Sequence, residues 1–243
     1  MKILISLCAR GGSKGIPRKN IKELNGRPLI DYSIQFAKQI EQSYKYKEVI
    51  IELSTDDEEI KNMAEQLGLP TEYTRPADLA SDNAGKVDAI RDLLSYSEKR
   101  HQNKFEYVLD LDISSPLRTL SDVEEAFSIM ERESDALTLF SVNTAHKNPY
   151  FNMVERNESG YYQTSKKRNI TTLSRQTAPD VYELNASFYI YRRAFFDSGE
   201  KGVITEKSLI YNMDHICFDL DTPIDFEFMD YLLSNNKLPF QLI

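Results

Sequence analysis

Residues 2–20, KILISLCARGGSKGIPRKN, decide the fold. Lys2–Cys8 is apolar and β-branched but for Lys2 and Ser6, the pattern of a strand buried on both faces. A glycine-rich cationic turn follows. Residues 28–40 then set Leu29, Ile30, Ser33, Ile34, Ala37 and Ile40 on one helical face, with Pro28 at the first helical position. Strand, turn and helix in that order open a βαβ unit. Working outward, Glu48–Ser54 reads as a second buried strand. Thr55 reads as the cap of a helix whose first turn carries Asp56, Asp57, Glu58 and Glu59 and which ends near Gly68. Residues 85–99 are helical, 106–112 form a third strand, 121–131 a capped helix and 136–142 a fourth strand. The alternation predicts an α/β, Rossmann-like, mostly parallel sheet with helices on both faces.

The pattern changes after Val142. Residues 143–176 are polar, with short strand-like pieces at 150–155 and 160–163, an inserted hairpin or a subunit contact. Regular order returns with strands at 186–191 and 213–219 and a final helix at 223–233. No Pro/Gly/Ser-rich linker divides the chain, so 1–243 is expected to be a single domain with a small insertion at about 143–184.

The 243 residues carry 38 acids against 30 bases, a formal charge of −8, which argues against a general nucleic-acid binder. No apolar run reaches a membrane span, and the first residues lack an h-region and cleavage site, so neither membrane insertion nor a signal peptide is expected. Cys8 and Cys217 cannot build a disulfide framework and read as reduced core residues of a cytoplasmic protein. The three histidines have no metal-ligand spacing, which argues against a zinc site built on them.

Residues 10–27 run against the acidic whole. They hold Arg10, Lys14, Arg18, Lys19, Lys22 and Arg27 against Glu23 alone. Ligands of open α/β sheets bind beyond the carboxyl ends of strands. Glycines there let backbone N–H groups turn inward around an anion, and an arginine grips phosphate with two parallel hydrogen bonds. A triphosphate needs this combination. The spacing, with glycines at 11, 12 and 15, matches neither GxxxxGK[ST] nor GxGxxG.

The stretch LCARGGSKGIPRKNIKELNGRPLI resembles the N-terminal signature of the acylneuraminate cytidylyltransferases, the CMP-sialic acid synthetase family. Further matches follow in order: Ser54-Thr55-Asp56, Arg75-Pro76, Leu79-Ala80-Ser81-Asp82, Ser115-Pro116-Leu117-Arg118, Asn148-Pro149-Tyr150-Phe151, Arg175-Gln176, Asn185 to Ile190, and Asp219 to Phe226. They span residue 3 to about 233. Asp110-Leu111-Asp112, Lys86 with Arg91-Asp92, and Gln176-Thr177-Ala178-Pro179 look most like the CMP-legionaminic acid synthetases within that family. Asp112 and Lys86 depart from the sialic acid enzymes, which have Gln and Ser there.

The resemblance implies that CTP and a nine-carbon 2-keto sugar acid react to give a CMP-sugar and pyrophosphate, with Mg²⁺ or Mn²⁺ as cofactor. It implies that Arg10 and Lys14 hold the triphosphate with N–H groups around Gly12 and Ser13, and that Lys19 and Asn20 complete the loop. Arg75 matches the cytosine-contacting arginine, and Lys86 falls near the base. Arg175 matches the arginine that binds the sugar carboxylate, and Asn185 and Tyr189 match residues lining the sugar pocket. Asp219 and Asp221, two apart in an extended chain, would face one metal ion. Asp112 is open between proton acceptor, sugar contact and metal ligand. The insertion resembles the family's dimerisation region, so a homodimer is expected. The rival readings are a 3-deoxy-manno-octulosonate cytidylyltransferase and a non-catalytic nucleotide-binding module.

Overall fold

The computed structural model describes residues 1–43, 45–168 and 174–242, with Arg175 described in its backbone alone. The strands and helices, in chain order, are β1 (Lys2–Cys8), β2 (Glu23–Leu24), β3 (Arg27–Pro28), α1 (Leu29–Gln42), β4 (Glu48–Ser54), α2 (Glu58–Gln66), α3 (Ala77–Ala80), α4 (Lys86–His101), β5 (Tyr107–Leu111), α5 (Leu120–Arg132), β6 (Thr138–Thr144), β7 (Val154–Arg156), β8 (Tyr162–Thr164), β9 (Tyr182–Arg192), α6 (Arg193–Asp197), β10 (Ser208–Asn212) and α7 (Pro223–Ser234).

Six strands form one sheet in the order β10-β6-β9-β5-β1-β4. β1 pairs parallel with β4 and β5, and β10 with β6. The long β9 runs antiparallel between β5 and β6, so the sheet is mixed but mostly parallel. β1 lies between two neighbours and its apolar run is buried, as an interior parallel strand requires. Its alternate side chains feed two cores. Ile3, Ile5 and Leu7 join α1, α5 and α7 residues, whereas Leu4 joins Val87, Ile90 and Leu94 of α4 with Phe195 and Phe196 of α6. Helices therefore cover both faces.

Local chemistry sets the helix ends. Thr119 and Asp122 form a reciprocal capping box on α5, and Thr222 and Asp225 another on α7, where Pro223 occupies the first turn. The cap of α2 is Asp57 rather than Thr55: its carboxylate accepts from Glu59 and Ile60 N–H, and a carboxylate adds charge complementary to the helix dipole.

The expected strand at 213–219 does not form. The sixth sheet strand is β10, and residues 213–222 run irregularly from it to α7. The stretch MDHICF mixes polar and apolar residues, and its apolar ones reach the core from a loop. Met213 is buried, and Cys217 and Phe218 pack against the larger core without entering the ladder. The insertion holds the β7–β8 hairpin, whose strands start four and two residues later than the expected pieces and each end one residue later.

Candidate active site

After β1 the chain moves to β4 on one side, then returns to β5 on the other side of β1. This reversal of direction opens a crevice beyond the carboxyl ends of the strands. The cleft there has a volume of about 440 Å³ and is lined by Arg10, Lys14, Lys19, Arg75, Lys86 and Asp112 among others.

The loop after β1 is held from several sides. Asn20 is buried and donates from Nδ2 to the Arg10 carbonyl at 2.9 Å. Arg18 makes a two-pronged pair with Asp57 at 2.5 and 3.0 Å and a further contact with Glu59. Burial would raise the Asp57 pKa, but the Arg18 hydrogen bond, the largest influence, leads the net shift and lowers it. A Cβ at Gly11 would lie 2.4 Å from Asp57 Oδ2, and one at Gly15 would lie 2.1 Å from the Asp221 carbonyl oxygen. Glycine at 15 is what lets the loop reach the 213–222 segment. Lys19 reinforces that contact, donating to the Leu220 carbonyl at 2.8 Å with Asp221 at 3.5 Å. Ser13 N–H, expected to face a phosphate, donates to the Gly11 carbonyl at 3.1 Å. Gly12 has open space beside it.

Arg75 is buried. Its Nε donates to Ser54 Oγ at 2.9 Å and its Nη2 to the Ser54 carbonyl at 2.8 Å, so the end of β4 fixes the guanidinium at the cleft wall.

The registers of three strands build the floor. Ser6 of β1 lies opposite Asp110 of β5, and Asp110 opposite Tyr189 of β9. Ser6 Oγ donates to Asp110 Oδ1 at 2.7 Å. Lys86, the first residue of α4, places Nζ 2.7 Å from Asp110 Oδ2, an ion pair off the hydrogen-bond direction, and 2.6 Å from Asp112 Oδ2. The same ammonium stands 5.0 Å from the Tyr189 ring centroid. Burial pulls the Lys86 pKa down, but the two carboxylates outweigh it and raise it. Burial likewise favours a neutral Asp112, yet Lys86 and Ser114 overrule it and hold its pKa at about 2. Burial and then Asp110 push the Cys8 thiol up to about 12, which keeps it protonated at the cleft edge.

Asp219 and Asp221 sit in the irregular 213–222 segment, which the Leu220 N–H pins to the Ser114 carbonyl at 2.9 Å. The strand alternation expected to aim both side chains does not exist there. Asp221 lines the cleft and is exposed, whereas Asp219 is half buried and its Oδ1 has no hydrogen-bond partner. Burial first, then Asp112, raises the Asp219 pKa. An orphaned carboxylate oxygen amid like charges suits a divalent cation, which takes carboxylate and phosphate oxygens together.

Asn185 is placed elsewhere. Its side chain is buried and spent on Ser141 Oγ (2.6 Å), Asn143 Oδ1 (2.9 Å), Met213 Sδ (3.0 Å) and the Ser187 N–H (3.2 Å). Ala186 has φ +60°, which breaks the two-residue alternation that put Asn185 and Tyr189 on one face. Asn185 therefore ties β9 to β6 and to the 213–222 segment. The side chain of Arg175 lies outside the described residues. Asp110 was missed as a site residue, although a charge inside a wholly buried strand is itself a signal, because such a charge must find a partner.

The architecture is a nucleotidyltransferase-type α/β fold. It is similar to a solved CMP:2-keto-3-deoxy-manno-octonic acid synthetase complexed with CTP, with a TM-score of 0.67, 16% identity, and coverage of 97% of this chain and 100% of that one. The family model described as Cytidylyltransferase matches residues 4–237, and the chain belongs to that family. It is thus a nucleotidyltransferase. Post-translational flagellin modification protein B of Campylobacter coli is 38% identical, over 98% of this chain and 97% of the relative. CMP-N,N'-diacetyllegionaminic acid synthase of Campylobacter jejuni is 37% identical, over 98% of this chain and 97% of the relative.

Proposed function

We propose that the protein activates a nine-carbon 2-keto sugar acid of the legionaminic type, using CTP and releasing pyrophosphate. The observation that carries the reading is the gathering around one cleft of Arg10, Lys14 and Lys19 with Asp221, two residues from which Asp219 keeps an unpartnered carboxylate oxygen. The relative named for CMP-N,N'-diacetyllegionaminic acid synthesis, alike along nearly its whole length, supports the choice of sugar.

In this reading the anomeric hydroxyl attacks the α-phosphorus in line. A new O–P bond forms there, the bond to the bridging oxygen breaks, pyrophosphate leaves with that oxygen, and the hydroxyl proton passes to solvent. Phosphoryl chemistry asks the protein for position and charge neutralisation. Arg10 and Lys14 bind the triphosphate, and Lys19 holds the loop against Asp221. Arg75, fixed by Ser54, presents guanidinium to the base. Asp219 and Asp221 would hold Mg²⁺, which neutralises charge on the α-phosphate and the leaving group. Asp112, with Lys86 on one carboxylate oxygen and Ser114 on the other, serves in this reading as a hydrogen-bond acceptor that orients the sugar.

The insertion is read as a dimer contact: Met153, Val154, Tyr161 and Tyr162 of the hairpin region are exposed apolar groups that a second copy would cover. Cys8 and Cys217 are free thiols, in keeping with a cytoplasmic setting.

The test is pyrophosphate release from purified protein with CTP, Mg²⁺ and a panel of legionaminic, sialic and octulosonic acids. Release with the nine-carbon acids supports the reading, and silence across the panel overturns it. Asp221→Ala should abolish release while leaving the far-ultraviolet circular dichroism and the unfolding midpoint unchanged, because Asp221 is 73% exposed. Normal turnover of that variant removes the metal role.

A further inference from the structure

The cleft cations differ in what occupies them. Lys86 is held by Asp110 and Asp112 from a core strand and its end, Lys19 by the Leu220 carbonyl, and Arg75 by Ser54. Arg10 and Lys14 are instead bridged by one carboxylate on a short loop. Asp82 Oδ1 lies 3.2 Å from Arg10 Nη1, and Asp82 Oδ2 lies 2.5 Å from Lys14 Nζ. Arg10 Nη1 also donates to the Ser81 carbonyl at 3.3 Å. Residues 81–85 link α3 to α4 and form one wall of the cleft.

We propose that Asp82 is a built-in stand-in for phosphate, competing with CTP and with product pyrophosphate for Arg10 and Lys14. The inference rests on the reading of those two residues as phosphate-binding. A carboxylate and a phosphate present similar anionic oxygens to the same N–H donors. Both cannot occupy the bridge between Arg10 and Lys14 at once, and a polyphosphate arriving beside an ionised Asp82 meets like charge. Binding therefore requires the carboxylate, with its loop, to withdraw. When pyrophosphate leaves, its return keeps the two cations paired and disfavours rebinding. The contact is suited to exchange because it is exposed: the Lys14 side chain is 77% and the Asp82 side chain 50% accessible. Exposed pairs are weak, so the contact lowers affinity by a modest factor and leaves the site usable.

Calorimetric titration with inorganic pyrophosphate tests this on wild type, Asp82→Asn, Asp82→Ser and Lys14→Ala. Removing the carboxylate should tighten pyrophosphate binding by about two- to fivefold, and Lys14→Ala should weaken it. In turnover with CTP, the Asp82 variants should show a lower KM for CTP and stronger pyrophosphate inhibition without a rise in kcat. If Lys14→Ala weakens binding while both Asp82 variants bind pyrophosphate no tighter than wild type, the stand-in role is wrong and the phosphate reading survives. If Lys14→Ala binds as well as wild type, the phosphate reading of the loop fails, and the stand-in fails with it.

Discussion

Lys86 is the residue on which the cleft floor turns. Its ammonium separates Asp110, whose side chain is 0% exposed, from Asp112, and lies over Tyr189. Removing one partner of a buried ion pair leaves an uncompensated charge that costs more than the pair contributed. Lys86→Met should therefore destabilise the fold by about 2 kcal/mol, less than a fully buried pair because Lys86 itself is 35% exposed. Adding Asp110→Asn should recover much of the loss, since the amide keeps an oxygen for Ser6 while shedding the charge. Denaturant unfolding of the single and double variants measures this. A double variant no more stable than Lys86→Met would show that charge is not the cause.

At the scale of elements, the irregular 213–222 segment is held to α5 by His215. Its Nε2 lies 3.0 Å from Asp122 Oδ2, and Asp122 also closes the α5 capping box. Burial would lower the His215 pKa, but the Asp122 hydrogen bond and the Ile216 carbonyl outweigh it and raise it above 6.5. Burial would raise Asp122, but His215 and Thr119 lower it. A raised histidine pKa contributes stability that is complete below the unfolded value and is lost as pH rises through the folded one. A lowered carboxylate contributes stability that is lost as pH falls through its folded pKa. The pair thus stabilises between those two limits. His215→Gln should cost more stability near about pH 6 than near about pH 9. Equal losses at both values, or a His215 imidazole titrating at or below 6.5 by NMR, would contradict the pairing. His215 reads from sequence as an isolated residue, because 93 positions separate it from its partner.

At the scale of the whole molecule, the β7–β8 hairpin carries the most exposed large apolar groups among the described residues, Tyr161 at 75% and Tyr162 at 71%. If a second copy covers them, Tyr161→Ser with Tyr162→Ser should shift the light-scattering mass from twice the chain mass toward one. A monomeric wild type, or an unchanged dimer in the variant, would exclude the hairpin as the contact. The charge distribution operates at the same scale. Arg10, Lys14, Lys19, Arg75 and Lys86 line the cleft against Asp82, Asp112 and Asp221 within a chain of formal charge −8, so the cleft draws anions into a molecule that otherwise repels them.

The amino-acid order by itself determined the alternation of strands and helices, the cationic loop after β1 and the residue types gathered around it. These are local: period, capping chemistry and glycine spacing are written in neighbouring residues. The tertiary structure alone decided what depends on distant partners. It inserted β9 antiparallel between β5 and β6, and the resulting registers aligned Ser6, Asp110 and Tyr189. It turned Asn185 into the core, placed Asp219 and Asp221 on a loop instead of a strand, and set Asp82 between Arg10 and Lys14. The apolar side chains of a mixed stretch such as 213–218 can be buried from loop or strand, and a charge can choose among several partners. Only the packing of the whole chain selects between them, because the desolvation cost of each group depends on which others arrive with it.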